Sequence, residues 1–107
     1  MDIKGLQNVL NSTGLPVVYH SFQSSGLKVK QPPYILYYLK NSDNTGADNK
    51  VYYKQNYYNI ELYTNKKDIA AEQKLEDAFD SASIFYEKTE SYIDEEKMFD
   101  ILYEIEI

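Results

Sequence analysis

The sequence predicts an α+β domain, an antiparallel sheet with two helices on one face in the order α-β-β-β-α-β-β. Three features carry that expectation. Residues 98–107 alternate without a break. Phe99, Ile101, Tyr103, Ile105 and Ile107 fall on one side, and Met98, Asp100, Leu102, Glu104 and Glu106 on the other, which is a strand with one face on a core and one face wet. Residues 65–82 carry a helical period instead, with Ile69, Leu75, Ala78, Phe79 and Ala82 on a stripe that Glu72 alone interrupts. Clusters of Gly, Pro, Asn, Asp and Ser cut the remainder into short segments. At 107 residues the chain has the size of one domain, spanning 1–107.

Taken in order, residues 2–12 form a short amphipathic helix: Ile3, Leu6, Val9 and Leu10 share a face, Asp2 is the N-cap, and Gly14 and Pro16 stop it. Gly5 works against it. Val17, Val18, Tyr19 and His20 make a brief strand, and residues 21–31 an exposed loop. Pro32 and Pro33 force an extended entry, because proline biases its predecessor away from helix. Residues 34–40 follow as a strand with no polar residue before Lys40, which suggests burial on both faces. Residues 41–49 are dense in turn formers and read as a loop. Residues 51–64 then form one long strand, paired antiparallel with 34–40. The main helix spans 65–82, with Asn65 and Asp68 approximating a capping box. Strands 84–93 and 98–107 close the chain as a hairpin around Asp94, Glu95, Glu96 and Lys97.

Composition excludes several classes. With no cysteine there is no disulfide framework, thiolate metal site or cysteine nucleophile. The longest apolar run, residues 34–39, is far too short for a membrane span, and residues 1–5 lack the basic flank and apolar stretch of a signal peptide. A cytoplasmic product is the expectation. Net charge is −6, from eleven lysines, no arginine and seventeen acids, which argues against binding nucleic acid through its phosphates. The charge is lopsided. Residues 1–54 carry six lysines against three acids (+3), and residues 55–107 five against fourteen (−9). Either this is ordinary drift on a solvated surface, or one part of the molecule complements part of an identical neighbour. Twelve tyrosines and no tryptophan suit strands and surfaces that become buried on association.

No catalytic, cofactor or metal set stands out. His20 is the single histidine, and no nucleophile-elbow glycines accompany it. Glu104 and Glu106 lie roughly 7 Å apart by strand rise, near the spacing of an inverting carboxylate pair, yet any wet strand face shows this alternation. Asp43, Asn44, Asp48 and Asn49 surround Gly46 without the spacing or closing Glu of a calcium loop. No dinucleotide or P-loop glycine motif is present. The expectation is a protein that assembles or binds.

Three stretches carry a family resemblance: Gly46-Ala47-Asp48-Asn49 leading to Tyr57-Tyr58-Asn59-Ile60-Glu61-Leu62-Tyr63-Thr64-Asn65-Lys66-Lys67-Asp68; Lys74-Leu75-Glu76; and Glu90-Ser91-Tyr92-Ile93-Asp94-Glu95-Glu96-Lys97-Met98 with the strand after it. From about residue 32 to 107 the chain resembles small proteins encoded in the tail-morphogenesis regions of phages and prophages of Gram-positive bacteria. Its order of helices and strands also resembles the tail-terminator and tail-completion proteins of long-tailed phages, although it is shorter. The resemblance implies a non-enzymatic subunit without cofactor that forms a ring, six-fold, at the head-proximal end of the tail tube. Its implied partners are copies of itself, the tail-tube protein and head-closure proteins. Its implied location is the host cytoplasm during assembly and then the virion tail. The alternatives are a head-closure connector component, or a small protein-binding module or regulator of prophage origin acting as monomer or dimer.

For a ring, the candidate interface residues are Tyr53, Tyr57, Tyr63 and Glu61 on one face of the long strand, with Asp43, Asp48, Lys28 and Lys30 from the two loops. Asp100, Glu104 and Glu106 are the candidate acidic lumen face, past which DNA would move without being gripped. Tyr58, Ile60 and Leu62, on the other face, are the expected core.

Overall fold

In the computed structural model the described residues are 1–28, 31–47 and 50–107, of which 45–47 and 50–53 are described as backbone. The chain is an α+β domain. A five-stranded sheet has the order β1(Val17–Tyr19)-β2(Tyr34–Ser42)-β5(Asn56–Thr64)-β7(Met98–Glu106)-β6(Tyr86–Ile93), and β3(Thr45–Ala47) pairs with β4(Lys50–Tyr53) as a separate two-stranded ribbon. Helices α1(Ile3–Asn11) and α3(Ile69–Ser81) lie on one face, their Leu6, Leu10, Leu75 and Phe79 packed with Ile35, Ile60, Leu62, Ile101 and Tyr103 of the sheet. The sheet side of that core follows from the alternation in β7, where Ile101, Tyr103 and Ile105 are buried and the residues between them are not.

Several expectations are corrected. The sheet is mixed, because β1 runs parallel to β2 with Val17 opposite Ile35. A parallel neighbour requires a crossover, and residues 21–28 lie on it. They contain α2(Phe22–Ser25), capped by the Ser21 hydroxyl accepting from the Ser24 amide at 3.0 Å and closed by Gly26 at φ +70°. The buried Phe22 ring anchors this turn on the opposite sheet face, edge-on to Tyr34 at 4.9 Å. The stretch 41–47 is not simply a loop, and residues 48 and 49 lie outside the described residues. β2 runs on to Ser42 past a register shift between Leu39 and Asn41, and β3 follows. The long strand 51–64 is broken at Lys54 and Gln55 into β4 and β5. Strand β2 is buried at Tyr34, Ile35 and Tyr37, half-buried at Leu36 and Tyr38 and exposed from Leu39 on, so burial on both faces holds only for its first half.

Helix α3 begins at Ile69, not Asn65, because Asp68 is the cap, accepting from the Ala71 amide at 3.0 Å. Ile69 is therefore not core. It is 69% exposed, since six residues at 3.6 per turn place it about 120° around the helix from Leu75. The polar interruption of the stripe, Glu72, is buried. Lys67 and Lys88 each reach it at 2.8 Å, Lys88 also binds Glu76 at 2.7 Å, and Lys67 also binds Glu90. The buried Tyr103 hydroxyl donates to Glu76 at 2.6 Å. Burial alone would raise the carboxyls of Glu72 and Glu76. Hydrogen bonds from the lysines, and from Tyr103 for Glu76, outweigh it and hold both below the ordinary carboxylate value. This network ties α3 to β6 and β7. Strand β6 starts at Tyr86, two residues later than expected, because Ser83 turns at φ +56° and buries Ile84 against the end of α3.

Candidate interface on the open sheet face

Alternation along β5 turns Tyr58, Ile60 and Leu62 into the core and Tyr57, Asn59, Glu61 and Tyr63 outward, as the sequence predicts. Register then sets Tyr63 opposite Asp100, Asn59 opposite Glu104 and Tyr57 opposite Glu106. The candidate tyrosines of β5 and the candidate acids of β7 therefore share one face, which neither α1 nor α3 covers.

The face has two ends of different character. At one, Tyr63 stacks on Tyr34 at 5.3 Å and joins the small cluster of Val18, Phe22, Tyr34 and Leu36. Its hydroxyl donates to Glu61 at 3.2 Å, and burial first, then the charges of Asp100 and Glu61, push its ionisation far above the ordinary phenol value. Tyr63 is thus held within the subunit's own packing. At the other end, Tyr57 lines an open groove of about 510 Å³ with Lys40, Asn41, Ser42, Asp43 and Glu104. Lys40 binds Glu104 at 3.0 Å, and the Gln55 amide donates to Glu106 at 2.6 Å. Two of the three lumen candidates are accordingly engaged with neighbours in the same subunit.

The third, Asp100, is half-buried, and one of its carboxylate oxygens is enclosed without a partner. Burial raises its pKa to about 7, helped by the hydrogen bond and charge of Glu61, while the Tyr63 hydroxyl works weakly the other way. The folded chain therefore holds this proton more tightly than the unfolded chain. Stability contributed by Asp100 grows as pH falls through about 7 and levels off near the ordinary carboxylate value. Asp100→Asn should stabilise the fold by about 1 kcal/mol at pH 8, a figure reduced for solvent screening of a half-exposed group, and by much less at pH 5. Urea melts at the two pH values check this. An equal effect at both would mean the carboxyl is ordinary.

The remaining candidates are scattered. Lys28 is exposed just past α2, and Asp43 is exposed at the groove, its amide donating to the Gln55 carbonyl at 2.9 Å. Lys30 and Asp48 lie outside the described residues, and so does the side chain of Tyr53, which sits in β4. His20 is exposed at φ +67° with Nδ1 3.3 Å from Ser21, whose oxygen caps α2. Among the described residues no group of three His, Cys, Asp or Glu could hold a metal ion. No helix of the described chain is long and apolar enough to cross a membrane.

Sequence reasoning missed Phe85, which is 77% exposed just before the outer strand β6. Its signal is positional: an aromatic at the start of a strand that has only one neighbour. The sequence matches no protein-family model and no curated protein.

Proposed function

We propose that the chain is a non-enzymatic assembly subunit of a phage tail, a tail-terminator or tail-completion protein that forms a six-fold ring at the head-proximal end of the tail tube. The observation that supports it best is the uncovered sheet face. There a tyrosine, an acidic loop residue and a groove meet at Tyr57 and Asp43, beside the acidic row of β7. A six-fold ring needs a heterologous contact, in which each subunit offers two different patches. The face joins residues from the basic and the acidic halves of the chain, Lys40 among the former and Glu61, Asp100, Glu104 and Glu106 among the latter.

Six copies at −6 carry −36, so like-charge repulsion opposes closure and added salt should strengthen the ring. Native mass spectrometry and electron microscopy of the purified protein across salt and protein concentration test this. Hexameric rings are the expected result, and a chain with no species above dimer would overturn the reading in favour of a small binding module. Tyr57→Ala should weaken the hexamer more than it weakens folding, because an interface anchor is only partly buried in the free subunit. Tyr63→Ala should cost folding as well, through its stack on Tyr34. Thermal melts and oligomer mass measured on the same samples separate the two.

A further inference from the structure

We propose that β6 is a self-pairing edge: two copies of the chain join their β6 strands antiparallel about a two-fold axis at Thr89, forming one continuous sheet. β6 is an edge strand, and among the described residues it pairs only with β7. About half of its backbone N–H and C=O groups therefore point away from the sheet, the usual template for another strand. The segment is also apolar at both ends. Phe85 is 77% and Tyr92 48% exposed, and Ile93 ends the strand.

The order of side chains identifies the occupant. Antiparallel pairing centred on Thr89 sets Phe85 opposite Ile93 of the second copy, Tyr86 opposite Tyr92, and Lys88 opposite Glu90, each pair occurring twice. Glu87 meets Ser91, and only Thr89 meets itself. No two like charges face each other, and the aromatic and aliphatic pairs flank the charged centre, the combinations that favour cross-strand contact. Neighbouring registers fail. Centring on Lys88 or on Glu90 sets that charge against its own copy, and a two-fold axis normal to the sheet allows no register centred between residues, because consecutive side chains point to opposite faces. A segment that reads chemically the same in both directions fits a second copy of itself. Residues directly opposite in an antiparallel pair share a face, so α1 and α3 of both copies would lie on the same side of the joined sheet.

This contact goes beyond the ring and is separate from it. A two-fold contact closes on itself, so it gives the free subunit one partner and leaves the open face available. Thr89 is exposed and its side chain makes no hydrogen bond among those found in the described residues, so it can be changed without disturbing the fold. Thr89→Lys and Thr89→Glu each place like charges together on the axis, and each should weaken the dimer about fivefold or more. An equimolar mixture of the two, one of them isotopically labelled so that the heterodimer has a mass of its own, should recover it as a heterodimer in native mass spectrometry, with unchanged melting curves showing that both variants are folded. A wild type monomeric at the highest concentration, variants that dimerise like wild type, or a mixture that stays monomeric would each overturn the pairing. Hexamers indifferent to Thr89 would uphold the ring and overturn this contact. Dimers sensitive to Thr89 without hexamers would do the reverse.

Discussion

Phe79→Ala should lower folding stability by about 3–5 kcal/mol, seen as a large fall in the urea midpoint at nearly unchanged slope. Phe79 is fully buried, with its ring 5.5 Å from the rings of both Tyr86 and Tyr103. It therefore joins the last turn of α3 to the edge strand β6 and its neighbour β7. Its carbonyl accepts from the Ile84 amide at 2.9 Å, which places the buried Ile84 in the same corner. Truncation leaves a cavity that three separate elements would have to move to fill. Leu75→Ala, one turn earlier and equally buried, should cost about 2–5 kcal/mol. Ile69→Ala, on the outward side of the same helix, should change stability by less than about 0.5 kcal/mol. A near-neutral Phe79→Ala would show that α3 does not close this core.

Removing both lysines around Glu72, as Lys67→Ala with Lys88→Ala, should cost about 2–4 kcal/mol at pH 8. The lysines themselves are 43% and 35% exposed and would contribute little as surface ion pairs. The cost falls on Glu72, whose side chain is 5% exposed and would be left charged with no partner of opposite sign. The pH dependence separates this from lost packing. In the wild type the Glu72 carboxyl lies below its ordinary value, so its contribution is present above that value and lost as pH falls through the lowered one. Without the lysines, burial dominates and raises it. The variant should therefore recover part of its deficit between pH 8 and pH 5, where Glu72 takes up a proton. Glu72→Met in the same background should restore stability at both pH values. A deficit that is constant with pH and not relieved by Met would mean the lysines act through their stems alone.

Strands β5 and β7 and the main helix were legible because each has one dry face, and that leaves a period in the sequence. Tyr58, Ile60 and Leu62 in β5, and Ile101, Tyr103 and Ile105 in β7, fall where alternation puts them. What was not legible depends on neighbours. Ile69 belongs to the apolar stripe by spacing, but the cap at Asp68 fixes where the helix starts and leaves it outward. α2 is a single turn, too short to show a period, and Phe22 is held by Tyr34, which follows twelve positions later. The parallel pairing of β1 with β2 is a choice of partner that a three-residue strand cannot announce. At the open face, sequence placed the tyrosines and acids of β5 and β7 on the correct side. It did not show that Tyr63 packs on Tyr34 or that Lys40 and Gln55 occupy Glu104 and Glu106, because those partners come from other segments of the chain.

The position of β7 between β5 and β6 has a consequence for the chain as it is made. β7 is the last of the five strands in chain order, yet it is the one that joins β6 to the rest of the sheet. The stretch from Thr64 to Glu106 takes roughly 2–8 s to leave a ribosome. During that interval β5 has a partner on one side only, and Ile60 and Leu62 lack the Tyr103 and Ile101 that later lie beside them. The nascent sheet thus presents an unfilled edge at its centre, next to its most apolar surface. Pauses in translation before residue 98 would prolong this state, and neighbouring nascent chains on one messenger could then pair wrongly across that gap.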